Sequence, residues 1–165
     1  MIRKASLEDI PSIRAMADVA FRHTYRDILS PSQMEYMMEM MYSEESLRRQ
    51  MTQEENVFYI EEGRGYVSIR PDGETADSRA RFHLEKIYIL PRWQKTGLGR
   101  LLFDKAVEEA RTAAGGKPAR IELNVNRANP ALGFYEHLGM RRDREGDFPI
   151  GEGFYMNDYI MALDI

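Results

Sequence analysis

The run Lys86-Ile-Tyr-Ile-Leu-Pro-Arg-Trp-Gln-Lys-Thr-Gly-Leu-Gly-Arg-Leu-Leu-Phe103 constrains this chain more than any other stretch. Ile87, Tyr88, Ile89 and Leu90 form a short β-branched, aromatic and aliphatic run, which predicts a buried strand over Arg81–Leu90. Pro91 has no N–H to give to a sheet ladder and ends it. A helix is predicted from about Gly97, because Leu98, Leu101, Leu102 and Ala106 recur at helical spacing and make one apolar stripe. Strand, short loop and glycine-opened helix thus follow one another within a few residues.

Such a joint has a chemical use. The first turn of a helix carries unpaired N–H groups and the positive end of the helix dipole, and so attracts anions. Gln94, Lys95, Thr96, Gly97, Leu98, Gly99 and Arg100 bring several of these donors together with two cationic side chains. Gly97 and Gly99 lack Cβ and are expected to let a phosphate approach the main chain. A glycine pair alone is more often a plain helix cap; the strand before it and the apolar helix after it favour the anion site. The loop is not a Walker A motif, because Lys95 precedes the glycines. It is not a dinucleotide fingerprint either, because the third glycine is missing.

Composition narrows the class. A chain of 165 residues suits one compact domain, and 43% hydrophobic with 30% charged residues is an ordinary soluble balance. No window approaches a membrane span, and no signal-peptide core follows Met1. The absence of cysteine excludes disulfides, thiolate metal sites and a cysteine nucleophile, and is consistent with a reducing, cytoplasmic setting. Nothing in the sequence calls for a metal. A net charge of −4 argues against general nucleic-acid binding and mildly favours a cationic substrate.

In chain order, Ile2–Ala5 reads as a first strand, and Ser6-x-x-Asp9 as a capping box for a helix to about His23. Ser30-Pro31 opens a second helix, and Ser43-Glu44-Glu45 a third. The run from Met34 to Met41, with Met37 and Met38, allows three readings: core packing, a substrate-pocket wall, or contact with a second copy in a homodimer. Val57–Glu62 and Tyr66–Arg70 read as a hairpin around Gly63-Arg64-Gly65, followed by a polar loop over Pro71–Ser78. Ile121, Leu123 and Val125 alternate in a further strand. Pro130 opens a helix holding Leu132, Phe134, Tyr135 and Leu138. Met140–Arg144 and Phe154–Leu163 close the chain as two strands.

Gln94-x-x-Gly97-x-Gly99 resembles the Gln/Arg-x-x-Gly-x-Gly/Ala signature of the GCN5-related N-acetyltransferases (GNAT). Asn126-Arg-Ala-Asn-Pro-Ala-Leu-Gly-Phe-Tyr-Glu-His-Leu-Gly-Met140 is similar to the same family's Asn-x-x-Ala-x-x-Phe-Tyr-x-x-x-Gly-Phe block. Ala131, Phe134, Tyr135, Gly139 and Met140 match it; Ala128 occupies the asparagine position, with Asn126 and Asn129 on either side. The resemblance covers nearly the whole chain and implies one N-acetyltransferase domain over residues 1–165. The implied fold is α/β (α+β in some schemes): a three-layer α/β/α sandwich on a mixed, mostly antiparallel sheet whose central strands splay apart. It also implies acetyl-CoA as co-substrate, its pyrophosphate on residues 94–100 and its pantetheine arm in the splay, flanked by Asn129, Phe134 and His137.

Amide formation from a thioester requires a deprotonated amine, a polarised carbonyl and a proton for the leaving sulfur. Main-chain N–H groups at Ile87, Tyr88 and Ile89 are expected at the carbonyl. The resemblance puts the Tyr135 hydroxyl near the sulfur as general acid. Glu85 is the expected base, through a water, with His83 second; strand parity puts both on one face with Ile87 and Ile89. Phe21-x-x-Thr-Tyr-x-x-Ile-Leu-Ser-Pro-Ser-Gln-Met34, Leu84-Glu-Lys-Ile-Tyr-Ile89 and Gly153-Phe-Tyr-Met-Asn-Asp-Tyr-Ile-Met161 resemble the PaiA-like branch, which implies a small polyamine acceptor. Glu8, Asp27, Glu35, Glu85 and Glu152 are the acids available to bind it. The alternatives are a member of the family acting on a protein N-terminus, an amino acid or an antibiotic, and a non-catalytic CoA-binding module.

Overall fold

The computed structural model describes residues 1–165. Its strands are β1 (Arg3–Lys4), β2 (Val57–Glu61), β3 (Gly65–Glu74), β4 (Ala80–Ile89), β5 (Ala119–Asn126), β6 (Arg141–Gly151) and β7 (Phe154–Asp164). They form one sheet in the order β1-β2-β3-β4-β5-β7-β6, in which only the β4–β5 pair is parallel. Its helices are α1 (Ile10–Tyr25), α2 (Pro31–Tyr42), α3 (Glu44–Thr52), α4 (Leu98–Ala114) and α5 (Leu132–His137).

Two apolar cores make the layers. On one face α4 lays Leu98, Leu102, Phe103, Ala106 and Ala110 against Val67, Ile69, Phe82, Leu84, Ile121 and Leu123 of the sheet. Leu101 is not part of this stripe: it is 56% exposed, and Phe103 takes the buried position instead. On the other face α1, α2 and α3 pack Ile13, Ala17, Phe21, Met34, Met37 and Leu47 over Phe58, Ile60 and Tyr66. Burying large side chains on both faces contributes roughly 1.5–3 kcal/mol for each Leu, Ile or Phe. The three-layer arrangement on a mixed sheet matches what the family resemblance implies.

Several boundaries differ from the sequence reading. The first helix runs on to Tyr25 rather than ending at His23. The segment from Pro71 is not simply a loop: β3 continues through Pro71 to Glu74, pairing Pro71 with Phe82 across an irregular register. The strand after Met140 continues to Gly151, because β7 offers a long unpaired edge; the two pair from Arg141↔Ala162 to Gly151↔Phe154 across two register shifts. Helix α5 starts at Leu132; the turn that precedes it is held by the Asn129 side chain.

The middle of the sheet carries two irregularities that decide the rest. Between Ser68↔Lys86 and Ile69↔Leu84 the register of β3 against β4 slips by one, so Glu85 is an extra residue with no partner. Meanwhile β4 and β5 pair only from Ala80↔Ala119 to His83↔Glu122, although both strands continue. Beyond that rung they diverge, and the sheet opens as a wedge.

The helical layer is tied to β3 and β4 by a tyrosine cluster. Tyr42 and Tyr66 share a hydroxyl–hydroxyl hydrogen bond of 2.7 Å, with ring centroids 6.1 Å apart. Both are fully buried, and burial pushes both phenols far above their ordinary pKa, so this remains a bond between neutral groups. Tyr42→Phe leaves the Tyr66 hydroxyl buried without a partner and is expected to cost about 1–3 kcal/mol in denaturant unfolding. The double variant Tyr42→Phe/Tyr66→Phe is expected to cost less than the sum of the single ones; strict additivity would show that the bond contributes nothing.

Candidate active site

The loop between β4 and α4 is fixed from outside. Arg64 lies over the Trp93 ring at 4.1 Å from its centroid. The Gln94 side-chain amide donates to the Ile89 carbonyl at 3.3 Å, and the Thr96 hydroxyl donates to the Trp93 carbonyl at 2.6 Å. Within this frame the backbone turns left-handed at Lys95 (φ 62) and Gly97 (φ 88). For Lys95 that conformation is strained by its Cβ, a sign of functional shaping. Alternating handedness can turn successive amides toward one point, the nest geometry that suits an anion. No N–H from Lys95 to Arg100 has a partner within the protein; the first helical bond is Leu101 N–H to the Gly97 carbonyl at 3.2 Å.

The two glycines turn out to do different work. A Cβ at Gly97 would meet nothing within 4 Å, so this is the open approach to the amides. A Cβ at Gly99 would stand 3.0 Å from Phe134 Cζ. Gly99 therefore makes room for the Phe134 ring. That contact seats α5 beside the mouth of α4. His137 lies exposed in the last turn of α5.

Below the loop lies the wedge. Arg64 O accepts from Leu90 N–H, so alternation along the antiparallel ladder turns Tyr88 and Lys86 toward β3. Ile87 and Ile89 accordingly direct their N–H and C=O groups to the side where β5 has moved away. The sequence reading put Tyr88 among the main-chain donors at the carbonyl; its amide instead belongs to the β3 ladder, and its side chain lines a cleft on the opposite face.

The expected parity also fails, for the same local reason. The extra residue at Glu85 shifts the alternation by one. Ile87 and Ile89 pack against the α4 core, while His83 and Glu85 share a cleft with Tyr88. This cleft measures about 370 Å³ and lies between α1, α2 and the ends of β4, β5 and β7. Phe21, Tyr25, Met37, Met40 and Met41 are its apolar walls. The methionine run thus serves as core at Met34 and as pocket wall at Met37 and Met41.

The titrating groups divide by environment. Burial lowers the His83 pKa, outweighing the pull of Glu85, so the imidazole is neutral at pH 7. Burial raises Glu85, but Lys86 and Arg70 overcome it and hold the carboxyl below its ordinary value. Arg70 donates to Glu85 Oε1, and Lys86 Nζ lies 3.7 Å from Oε2. Tyr135 is buried on the α4 side; burial and the nearby Tyr25 raise its pKa, so its hydroxyl keeps its proton at neutral pH. That hydroxyl has no hydrogen-bond partner in the protein.

Asn129 has a duty that the sequence did not show. Its amide oxygen accepts from Ala131 N–H at 2.8 Å, and its nitrogen donates to the Tyr25 hydroxyl at 3.1 Å. It ties the turn before α5 to α1. The Asn126 side chain caps Ala128 N–H at 2.9 Å and also lines the cleft. None of Glu8, Asp27, Glu35 and Glu152 lines the cleft; the acid there besides Glu85 is Asp158 of β7, which sequence reasoning missed. Only its place in the alternation of Asp158, Ile160 and Ala162 pointed inward.

Comparison with known proteins agrees with this fold. The sequence model described as "Acetyltransferase (GNAT) domain" matches residues 25–159. An uncharacterised N-acetyltransferase from the pepI 3' region of Lactobacillus delbrueckii subsp. lactis is 28% identical over 159 residues, covering 92% of this chain and 90% of its own. The PaiA N-acetyltransferase of Thermoplasma acidophilum, solved with coenzyme A, shares the fold with a TM-score of 0.72 at 19% identity, over 100% of this chain and 98% of its own. A GCN5-related N-acetyltransferase from Rhodopseudomonas palustris does so with a TM-score of 0.74 at 17% identity, over 100% and 95%. The family model spans most of the chain, and the chain belongs to the GNAT acetyltransferase family, an acetyl-CoA-dependent N-acetyltransferase.

Proposed function

We propose that the protein acetylates a primary amine of a small polyamine by direct attack within a ternary complex with acetyl-CoA. The observation that carries the reading is the meeting of two spaces at the wedge. The amide nest and the open edge of β4 lie on one side of it, and a cleft walled by methionine and aromatic side chains on the other. The segments that resemble the PaiA-like branch converge on that cleft through Phe21, Tyr25, Gln33, Glu85, Tyr88 and Met156.

The residues present fit the co-substrate. The amides of Lys95 to Arg100, with the Lys95 and Arg100 charges, suit a diphosphate, and Gly97 leaves it room. Gln94 and Thr96 brace the same turn, Leu98 opens α4 from it, and Phe134 of α5 packs against Gly99, with His137 exposed one turn further along α5. Acetyl-CoA supplies the activated acetyl group. Ile87 and Ile89 offer main-chain N–H groups for the carbonyl oxygen, where negative charge builds during attack. Holding the acetyl group there by a distant diphosphate supplies positioning that can be worth several kcal/mol.

Glu85 takes the proton of the amine through a water, and the neutral His83 beside it is the second proton site. The amine nitrogen forms the new C–N bond and the C–S bond breaks. Tyr135 gives its proton to the departing sulfur.

Three measurements test this reading. Tyr135→Phe is expected to lower kcat by about 10²-fold or more with little change in the KM for acetyl-CoA; unchanged turnover would remove Tyr135 from the reaction. Gly97→Asp puts a carboxylate and a strained φ at the nest, and is expected to weaken coenzyme A binding in calorimetry by at least tenfold. Normal affinity in that variant would contradict the diphosphate assignment. Glu85→Gln is expected to lower kcat/KM more than His83→Gln; the reverse order would make His83 the base.

A further inference from the structure

Asp158 sits in the floor of the acceptor cleft, opposite Asn126 across the β5–β7 ladder. It is only 1% exposed. Its carboxylate has one hydrogen bond, from Asn124 Nδ2 to Oδ2 at 3.2 Å. No lysine, arginine or histidine pairs with it. Arg127, the nearest cation from its own neighbourhood, is committed elsewhere. Its guanidinium donates to the main-chain carbonyls of Asp158 at 3.3 Å and Gly146 at 3.2 Å, and to the Asp147 carboxylate at 2.6 Å.

The other charged groups facing the cleft do not neutralise it. Glu85 is already balanced by Arg70 and Lys86. His83 is uncharged, and the remaining walls are aromatic rings, methionines, Leu29 and the amides of Gln33, Asn124 and Asn126. An ionised carboxylate with a single neutral donor is costly to bury. Burial accordingly pushes the Asp158 pKa up, against the opposing effects of Asn124 and Arg127. The cost is removed when a cation arrives with the ligand.

We infer that Asp158 is the cation subsite of the acceptor: it binds a protonated amine of a linear aliphatic diamine or polyamine whose other amine, unprotonated, attacks at the wedge. This rests on the polyamine reading above and adds to it which end of the molecule goes where. Methionine and aromatic walls suit the methylene chain between the two nitrogens, and their polarisable faces tolerate the ammonium. A monoamine of equal length would leave Asp158 buried and unpaired. Sites with a buried polar group discriminate strongly against an analogue that lacks its partner.

The test is kcat/KM for 1,4-diaminobutane and for butylamine, in the wild type and in Asp158→Asn, with coenzyme A affinity measured by calorimetry on both proteins. In the wild type the diamine is expected to be preferred at least tenfold. Asp158→Asn keeps the side-chain shape and the contact to Asn124; it is expected to erase most of that preference through a higher KM for the diamine, while coenzyme A binds both proteins alike. Equal use of the two amines by the wild type overturns the inference without any variant, and leaves the N-acetyltransferase reading standing. A diamine preference that survives in Asp158→Asn overturns the inference alone. A wild type that binds coenzyme A yet turns over neither amine overturns the polyamine reading and the subsite with it.

Discussion

One extra residue in a central strand governs this structure. Glu85 has no partner in β3, and the slip it creates bends β4 away from β5 just past the His83↔Glu122 rung. In a regular sheet every main-chain N–H of β4 would be spent on a neighbour, and none would be free for a ligand. Here the open edge of Ile87 and Ile89 is free, because hydrogen bonding is given up along a few residues. The same slip reverses side-chain alternation. His83 and Glu85 face the methionine-walled cleft, while Ile87 and Ile89 return to the α4 core. Opening the edge and sorting the side chains are thus one event.

The lost ladder has to be offset by packing. The α4 core and the α1–α3 core clamp the sheet on both faces, and the β6–β7 hairpin is pinned to α2 at its far end. The Tyr36 hydroxyl donates to the Ile150 carbonyl, and Gln33 Nε2 donates to the Tyr155 carbonyl at 2.8 Å. Asn129 ties the turn before α5 to Tyr25 of α1, across the wedge mouth. Tyr135 follows on α5, buried in the α4 core, and the loop at Lys95–Arg100 is held by Trp93, Gln94 and Thr96. Rigid supports around an unpaired edge let the edge act on a ligand without collapsing on itself.

Much of this was legible in the chain. The strand–loop–helix joint is written in Ile87–Leu90, Pro91 and Gly97, because local sterics decide each of them. The element order follows from alternating periodicities, and the family resemblance, which implies the layers, rests on residues of the loop after Trp93 and of α5. What was hidden depends on relations between strands. A bulge leaves no mark in a single strand's pattern, so the parity of Glu85 with Ile87 and the main-chain role of Tyr88 were misplaced. Gly99 could not be told from Gly97 without Phe134, which is far along the sequence. Leu101 fits the helical stripe arithmetically, yet lies at its edge and meets solvent. Asp158 was passed over, because beyond its alternation with Ile160 and Ala162 nothing in the local sequence shows that Asn124 and Asn126 face it.

The central claim is that the free amides after Trp93 and along the open edge of β4 are the parts of the chain that hold the co-substrate. Backbone amide NMR during a coenzyme A titration tests it most directly. The account predicts the largest shift changes, and new protection from exchange, at Lys95 to Arg100, with a second group at Ile87 and Ile89. It also predicts little change at Tyr88 and Lys86, whose amides belong to the β3 ladder. Saturable binding that leaves Lys95 to Arg100 and Ile87 unperturbed would contradict it.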